Sequence, residues 1–99
     1  MAAHLSMPIL IVDDYDTTVR IVRNLLRCLG FSHIDEASNG ATALSKLERK
    51  NYALVISDSG LLHHLRADTR HAATLLVTVA EALSAQSLRA KLEGVLGAF

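Results

Sequence analysis

Unbroken oily runs and spaced oily stripes alternate along this chain. Ile9 to Val12 and Tyr52 to Ser57 are short runs rich in β-branched residues, as expected for strands covered on both faces of a parallel sheet. Pro8 opens the first run, a position where a missing N–H does little harm to a sheet. After that run, Val19, Val22, Leu25, Leu26 and Leu29 recur at helical spacing, with Arg20, Arg23, Asn24 and Arg27 on the wet face. Asp16 or Thr17 is placed to cap this helix and Gly30 to end it. His33 to Ala37 reads as a weaker strand, with only Ile34 and Ala37 apolar, and hence as an edge. Asn39 can cap a second helix carrying Ala43, Leu44 and Leu47 and closing near Asn51. An Asn-Gly pair signals a hairpin elsewhere, but the helical spacing after Asn39-Gly40 makes it a cap.

The order β-α-β-α-β predicts a parallel α/β sheet with right-handed crossovers. After Asp58 the chain must return for another parallel strand, which takes about a dozen residues. A short helix around Leu61 to Ala67 fits that length, and "TLLVTV", Thr74 to Val79, becomes the fourth strand. Ser84 can cap a last helix with Leu88, Leu92 and Val95 on one face, and only a short stretch separates that helix from the strand.

Length and composition narrow the class. A chain of 99 residues, 51% apolar and 20% charged, is expected to form one globular domain spanning residues 1–99. A formal net charge of zero gives no overall attraction to nucleic acid or to anionic membranes. Cys28 has no second cysteine to pair with, as suits a reducing compartment. "MAAHLSM" lacks the features of a secretory signal, and no apolar stretch nears the roughly 20 residues that span a bilayer. The expectation is a cytoplasmic domain with neither a nucleic-acid nor a membrane partner.

The chemistry lies where the oily runs stop. The first ends on Asp13 and Asp14, the other on Asp58. In parallel α/β sheets, ligands gather outside the carboxyl ends of the strands. If strands one and three are neighbours, these acids face one cleft and repel each other. Mg²⁺ would relieve that conflict, since it takes oxygen ligands, is content with one or two carboxylates and keeps waters that phosphate oxygens can replace. A carboxylate beside it can attack a phosphoryl donor and become an aspartyl phosphate. Thr78, near the end of strand four, could then hydrogen-bond the new group. Taken singly, an Asp after a strand usually caps a helix or makes a turn, and a Thr in a strand is usually only a strand residue. Their joint placement at three strand ends favours the phosphoryl chemistry.

Other polar groups carry less. His63 and His64 are adjacent and diverge on a helix, so with His71 they read as surface histidines rather than zinc ligands, and Cys28 lies on a different helix. There is no phosphate-binding glycine loop and no nucleophile-base-acid set, so the protein does not read as an enzyme.

"PILIVDDYDTTVRIVRNLLRCLGF" followed by "ASNGATALSKLERKNYALVISD" resembles a response-regulator receiver domain of the single-domain chemotaxis type, continuously over residues 8 to 58. The resemblance implies a three-layer, flavodoxin-like parallel sheet of about four strands in the order 2-1-3-4, with helices on both faces. It implies that Asp58 is the phosphoacceptor, that Asp14 holds Mg²⁺ directly and Asp13 partly through water, and that the Gly60 backbone carbonyl falls where the metal site is completed. Thr78 would be the switch hydroxyl. The donor would be a histidine kinase or phosphotransfer protein, with Arg20 and Arg23 as contacts. "LSAQSLRAKLEGVLG" resembles the family's last helix.

The chain also departs from that pattern. The Met-Pro loop after the phosphoacceptor is missing, as if about two helical turns were cut out. Between "VTVAEA" and the last helix, the family's fourth helix, fifth strand, switch aromatic and Lys-Pro pair are absent, and Lys91 inside the last helix is no evident replacement. Three readings follow. The first is a truncated receiver phosphorylated at Asp58. The second is a non-phosphorylated interaction module, open to homodimer formation through an exposed strand Thr74 to Val79. The third is a shortened product without activity of its own.

Overall fold

The computed structural model describes residues 5–71, 74–83 and 85–96. Four strands, β1 (Ile9–Val12), β2 (Ile34–Ala37), β3 (Leu54–Ser57) and β4 (Leu75–Thr78), form one parallel sheet in the order β2-β1-β3-β4. Ile9 stands opposite both Ile34 and Leu54, and Leu54 opposite Leu75, so the strands start level and end level. This is the order that the family resemblance implied. The helices are α1 (Asp16–Cys28), α2 (Gly40–Arg49), α3 (Ser59–Arg66), the single turn α4 (Val79–Ala82) and α5 (Ala85–Leu96).

Strand alternation divides the core into two layers. Ile9, Ile11, Leu54, Ile56 and Val77 pack with Val19, Val22 and Leu26 of α1, and with Ala82, Leu88 and Leu92. Leu10, Val12 and Val55 point the other way, onto Ala43 and Leu47 of α2 and Leu62 and Leu65 of α3. Every residue of β1 and β3 is buried, which is why neither run carries a polar position until its end. The last helix therefore lies on the α1 face. Leu88 and Leu92 are both fully buried there, each stabilising by about 2–3 kcal/mol relative to exposure.

Some boundaries differ from the sequence reading. Neither Asp16 nor Thr17 caps α1. Tyr15 holds the cap position, without a side-chain bond to the helix, and Asp16 sits in the first turn, where it favours the helix dipole. At the other end Gly30 adopts φ 105°, and its N–H reaches the Arg27 carbonyl. A Cβ there would also come within 3.0 Å of Leu5 Cδ1. β3 starts at Leu54 rather than at Tyr52, whose hydroxyl reaches Asp35 of β2. β4 stops at Thr78 because Val79 already belongs to α4. Ser84 and the side chain of Val95 lie outside the described residues. β4 forms the end of the sheet, with Val77 buried but Leu75, Leu76 and Thr78 only half-buried.

Candidate functional site at the carboxyl ends of the strands

Asp14 and Asp58 leave β1 and β3, which are hydrogen-bonded neighbours, and both carboxylates are exposed. They line one pocket of about 500 Å³, with Val12, Ser38, Asn39, Gly40, Ser57, Gly60 and Leu61. Asp58 caps α3: its Oδ1 accepts from the Leu61 N–H at 3.1 Å. Gly60 lies against it, for a Cβ there would stand 3.4 Å from the same oxygen. One carboxylate oxygen thus holds the turn, and among the described residues the other accepts no hydrogen bond.

Two helix starts oppose the negative charge of the two carboxylates at this pocket. α2 begins at Gly40 and α3 at Ser59, so both bring the positive ends of their dipoles to the pocket. Asn39 fixes the first, accepting from the Thr42 N–H at 2.8 Å. The arrangement suits an anionic group attached to, or bridged by a cation to, the strand-end carboxylates. The Asn39 cap is legible in the sequence, whereas the place of Ser38, Asn39 and Gly40 in this wall emerges from the fold. The signal was available: in a parallel sheet, a helix following a strand starts at the same end where the acids emerge.

Asp13 turns elsewhere. Its Oδ1 accepts from the Tyr15 N–H at 2.8 Å, and its side chain lines a neighbouring pocket of about 290 Å³ with Asp16, Glu36, Thr42 and Lys46. Of the three strand-end acids, Asp14 and Asp58 are brought together and Asp13 stands next door. No group of three or more metal-ligating side chains gathers among the described residues. What remains, two carboxylates, fits Mg²⁺, which commonly takes one or two protein carboxylates and fills its octahedron with water. The Gly60 carbonyl, expected from the resemblance to complete the site, instead lies in the first turn of α3 and points along the helix away from the pocket.

Thr78 pairs with Ser57 across β3 and β4, yet its hydroxyl is committed locally. It donates to Glu81 Oε1 at 3.0 Å and accepts from the Glu81 N–H at 3.2 Å, while the Thr78 N–H donates to the same Oε1 at 3.1 Å. Lys91 of α5 closes on the other Glu81 oxygen at 3.0 Å. The Thr78 N–H, then the Lys91 ammonium and the Thr78 hydroxyl, hold the Glu81 carboxyl below its ordinary range. Sequence reasoning did not foresee this link, although Thr-x-x-Glu is the pattern of a capping box.

The remaining candidates are dispersed. His63 and His64 are exposed, and His71 lines a pocket at the opposite, amino ends of the strands with Pro8, Asn51 and Arg70. Arg20 is exposed on α1, whereas Arg23 is spent on an ion pair with Glu36 of β2. No helix among the described residues is long and apolar enough to cross a membrane.

Comparison with known proteins bears on this geometry. The family model for the response regulator receiver domain matches residues 9–96. The chain is 42% identical to the chemotaxis protein CheY-3 of Vibrio cholerae over 102 aligned positions, covering 93% of this chain and 78% of that protein. It is 44% identical to the chemotaxis protein CheY of Pseudomonas aeruginosa over 101 positions, covering 92% of this chain and 81% of that one. The solved structure of CheY4 of Vibrio cholerae aligns with a TM-score of 0.73 over 92% of this chain and 99% of that chain. Its identity is 18%, so that likeness is one of fold.

Proposed function

The chain belongs to the response regulator receiver domain family, and from that premise we propose that it is a two-component phosphoacceptor taking a phosphoryl group onto Asp58. The observation carrying this reading is the shared pocket of Asp14 and Asp58 at the mouths of two helix N-termini. Asp58 uses Oδ1 to hold the start of α3, which fixes the carboxylate and directs Oδ2 as the attacking atom. Oδ2 forms the new bond to phosphorus as the donor's phosphorus–nitrogen bond breaks, and the electron pair leaves with the donor imidazole. Asp14 and Asp58 would hold Mg²⁺ between them, and Asp13 supports the turn through the Tyr15 N–H. Bound there, Mg²⁺ would offset the charge of two carboxylates and of the phosphoryl oxygens. Thr78 is the hydroxyl on the adjacent strand.

The donor in this reading is a histidine kinase or phosphotransfer protein, met in the cytoplasm. Acetyl phosphate with Mg²⁺, followed by intact-mass measurement, tests the chemistry without knowledge of that partner. Wild type is expected to gain one phosphoryl group and folded Asp58→Asn none. Equal labelling of both proteins would overturn the assignment.

A second reading is favoured by β4. It ends the sheet with half-buried Leu75 and Leu76, and no fifth strand follows among the described residues. Such an edge could pair with a second copy. Sedimentation across a range of concentrations tests it, with a dimer expected and a strict monomer excluding self-pairing.

A further inference from the structure

One carboxylate, Glu81, gathers the Thr78 hydroxyl, the Thr78 N–H and the Lys91 ammonium. A hydroxyl, an amide and an ammonium are also what a phosphoryl oxygen requires. The site that would carry such a group is close by. Ser57, the cross-strand partner of Thr78, lines the pocket of Asp14 and Asp58, and neighbouring strands lie about 4.8 Å apart. Thr78 itself does not line that pocket, and its hydroxyl is turned to Glu81.

We propose that Glu81 is an internal competitor: a positioning residue that holds the Thr78 hydroxyl off Asp58 until an anionic group in the pocket competes for it. This rests on the reading of Asp58 as phosphoacceptor. Lys91 braces Glu81 from α5, so transfer of the hydroxyl from Glu81 to an occupied Asp58 loosens the tie between the end of β4 and the last helix. The brace is half-exposed, with 46% of the Lys91 and 41% of the Glu81 side chain accessible, and a pair so placed modulates rather than locks. A cap that only terminated β4 would influence stability and leave ligand affinity unchanged.

Beryllofluoride with Mg²⁺ supplies a phosphoryl-like probe, and calorimetric titration reads its affinity in the full chain. Glu81→Ala frees the hydroxyl and is expected to tighten binding about three- to tenfold, the worth of one hydrogen bond. That gain should vanish in a Thr78→Val background. Lys91→Gln should give a smaller gain in the same direction, and Lys91→Arg should restore the wild-type value. Lys91→Gln, distant from the strand end, also serves should Glu81→Ala fail to fold. Unchanged or weakened binding in folded Glu81→Ala or, failing that variant, in Lys91→Gln overturns the proposal. So does an equal gain in the Thr78→Val background, which would reflect only the lost negative charge. Wild type that binds while the variants do not differ from it removes this inference and leaves the phosphoacceptor reading standing. Folded wild type that does not bind removes both.

Discussion

The two halves of this molecule are built differently although one sheet joins them. From Ile9 to Asp58, two strands are buried on both faces and two helices of 13 and 10 residues cover them. From Ser59 onward there is a half-buried end strand, a helix of eight residues, a single turn and a final helix. In the first half, apolar burial sets the positions of the acids. In the second, a polar chain of Thr78, Glu81 and Lys91 joins strand to helix. The groups proposed for phosphoryl uptake all lie on β1, β3 and the turns that follow them. The groups that would report on it lie where the chain departs most from its family's pattern. In the proposed reading, uptake and its readout fall on different parts of the fold, and the departures touch both: the missing Met-Pro loop after Asp58 and the missing elements after β4.

The largest effect that could break this comparison is in the core. Ile56 of β3 and Leu92 of α5 are both fully buried in the same layer. Ile56→Ala and Leu92→Ala are each expected to cost about 2–5 kcal/mol in urea unfolding. A Leu92→Ala cost below about 1 kcal/mol would mean that the last helix is only loosely attached. A smaller effect sharpens the first half. Tyr52 donates its hydroxyl to Asp35, which Lys50 also reaches, so Tyr52→Phe should cost about 1–2 kcal/mol. Burial, then the Asp35 carboxylate, pushes the Tyr52 ionisation well above its usual value. A raised native pKa means that this stabilisation is fully present below the ordinary tyrosine range, about pH 10, and is lost as pH rises through the native value. The wild-type melting temperature should therefore fall on the alkaline side of about pH 10. Tyr52→Phe should flatten that limb, and an identical alkaline profile in both would refute the coupling.

Legibility in the sequence followed the same division. β1 and β3 were readable because burial on both faces leaves only apolar residues, and Asn39 was readable because a cap acts locally. The β2-β1-β3-β4 order came from family likeness, since periodicity carries no information about which strand lies beside which. Asp14 and Asp58 were readable as strand-end acids, but the turn of Asp13 toward Tyr15 depends on backbone geometry after the strand. The Thr-x-x-Glu pattern is in plain view, but the apolar run from Thr74 continues through Val79 and overlaps it. The Lys91 contact depends on how α5 is rotated against the sheet, which no local spacing in the sequence encodes. Arg23 with Glu36 and Tyr52 with Asp35 are likewise long-range pairings.

The central claim is that Asp14 and Asp58 share a single ion while Asp13 serves the turn. Titration with Mg²⁺, followed by amide shifts in wild type, Asp14→Ala and Asp13→Ala, addresses it directly. The expected result is saturable binding in wild type, weakened about tenfold or more by Asp14→Ala and less by Asp13→Ala. Wild-type affinity in Asp14→Ala, or a larger loss in Asp13→Ala, would contradict it.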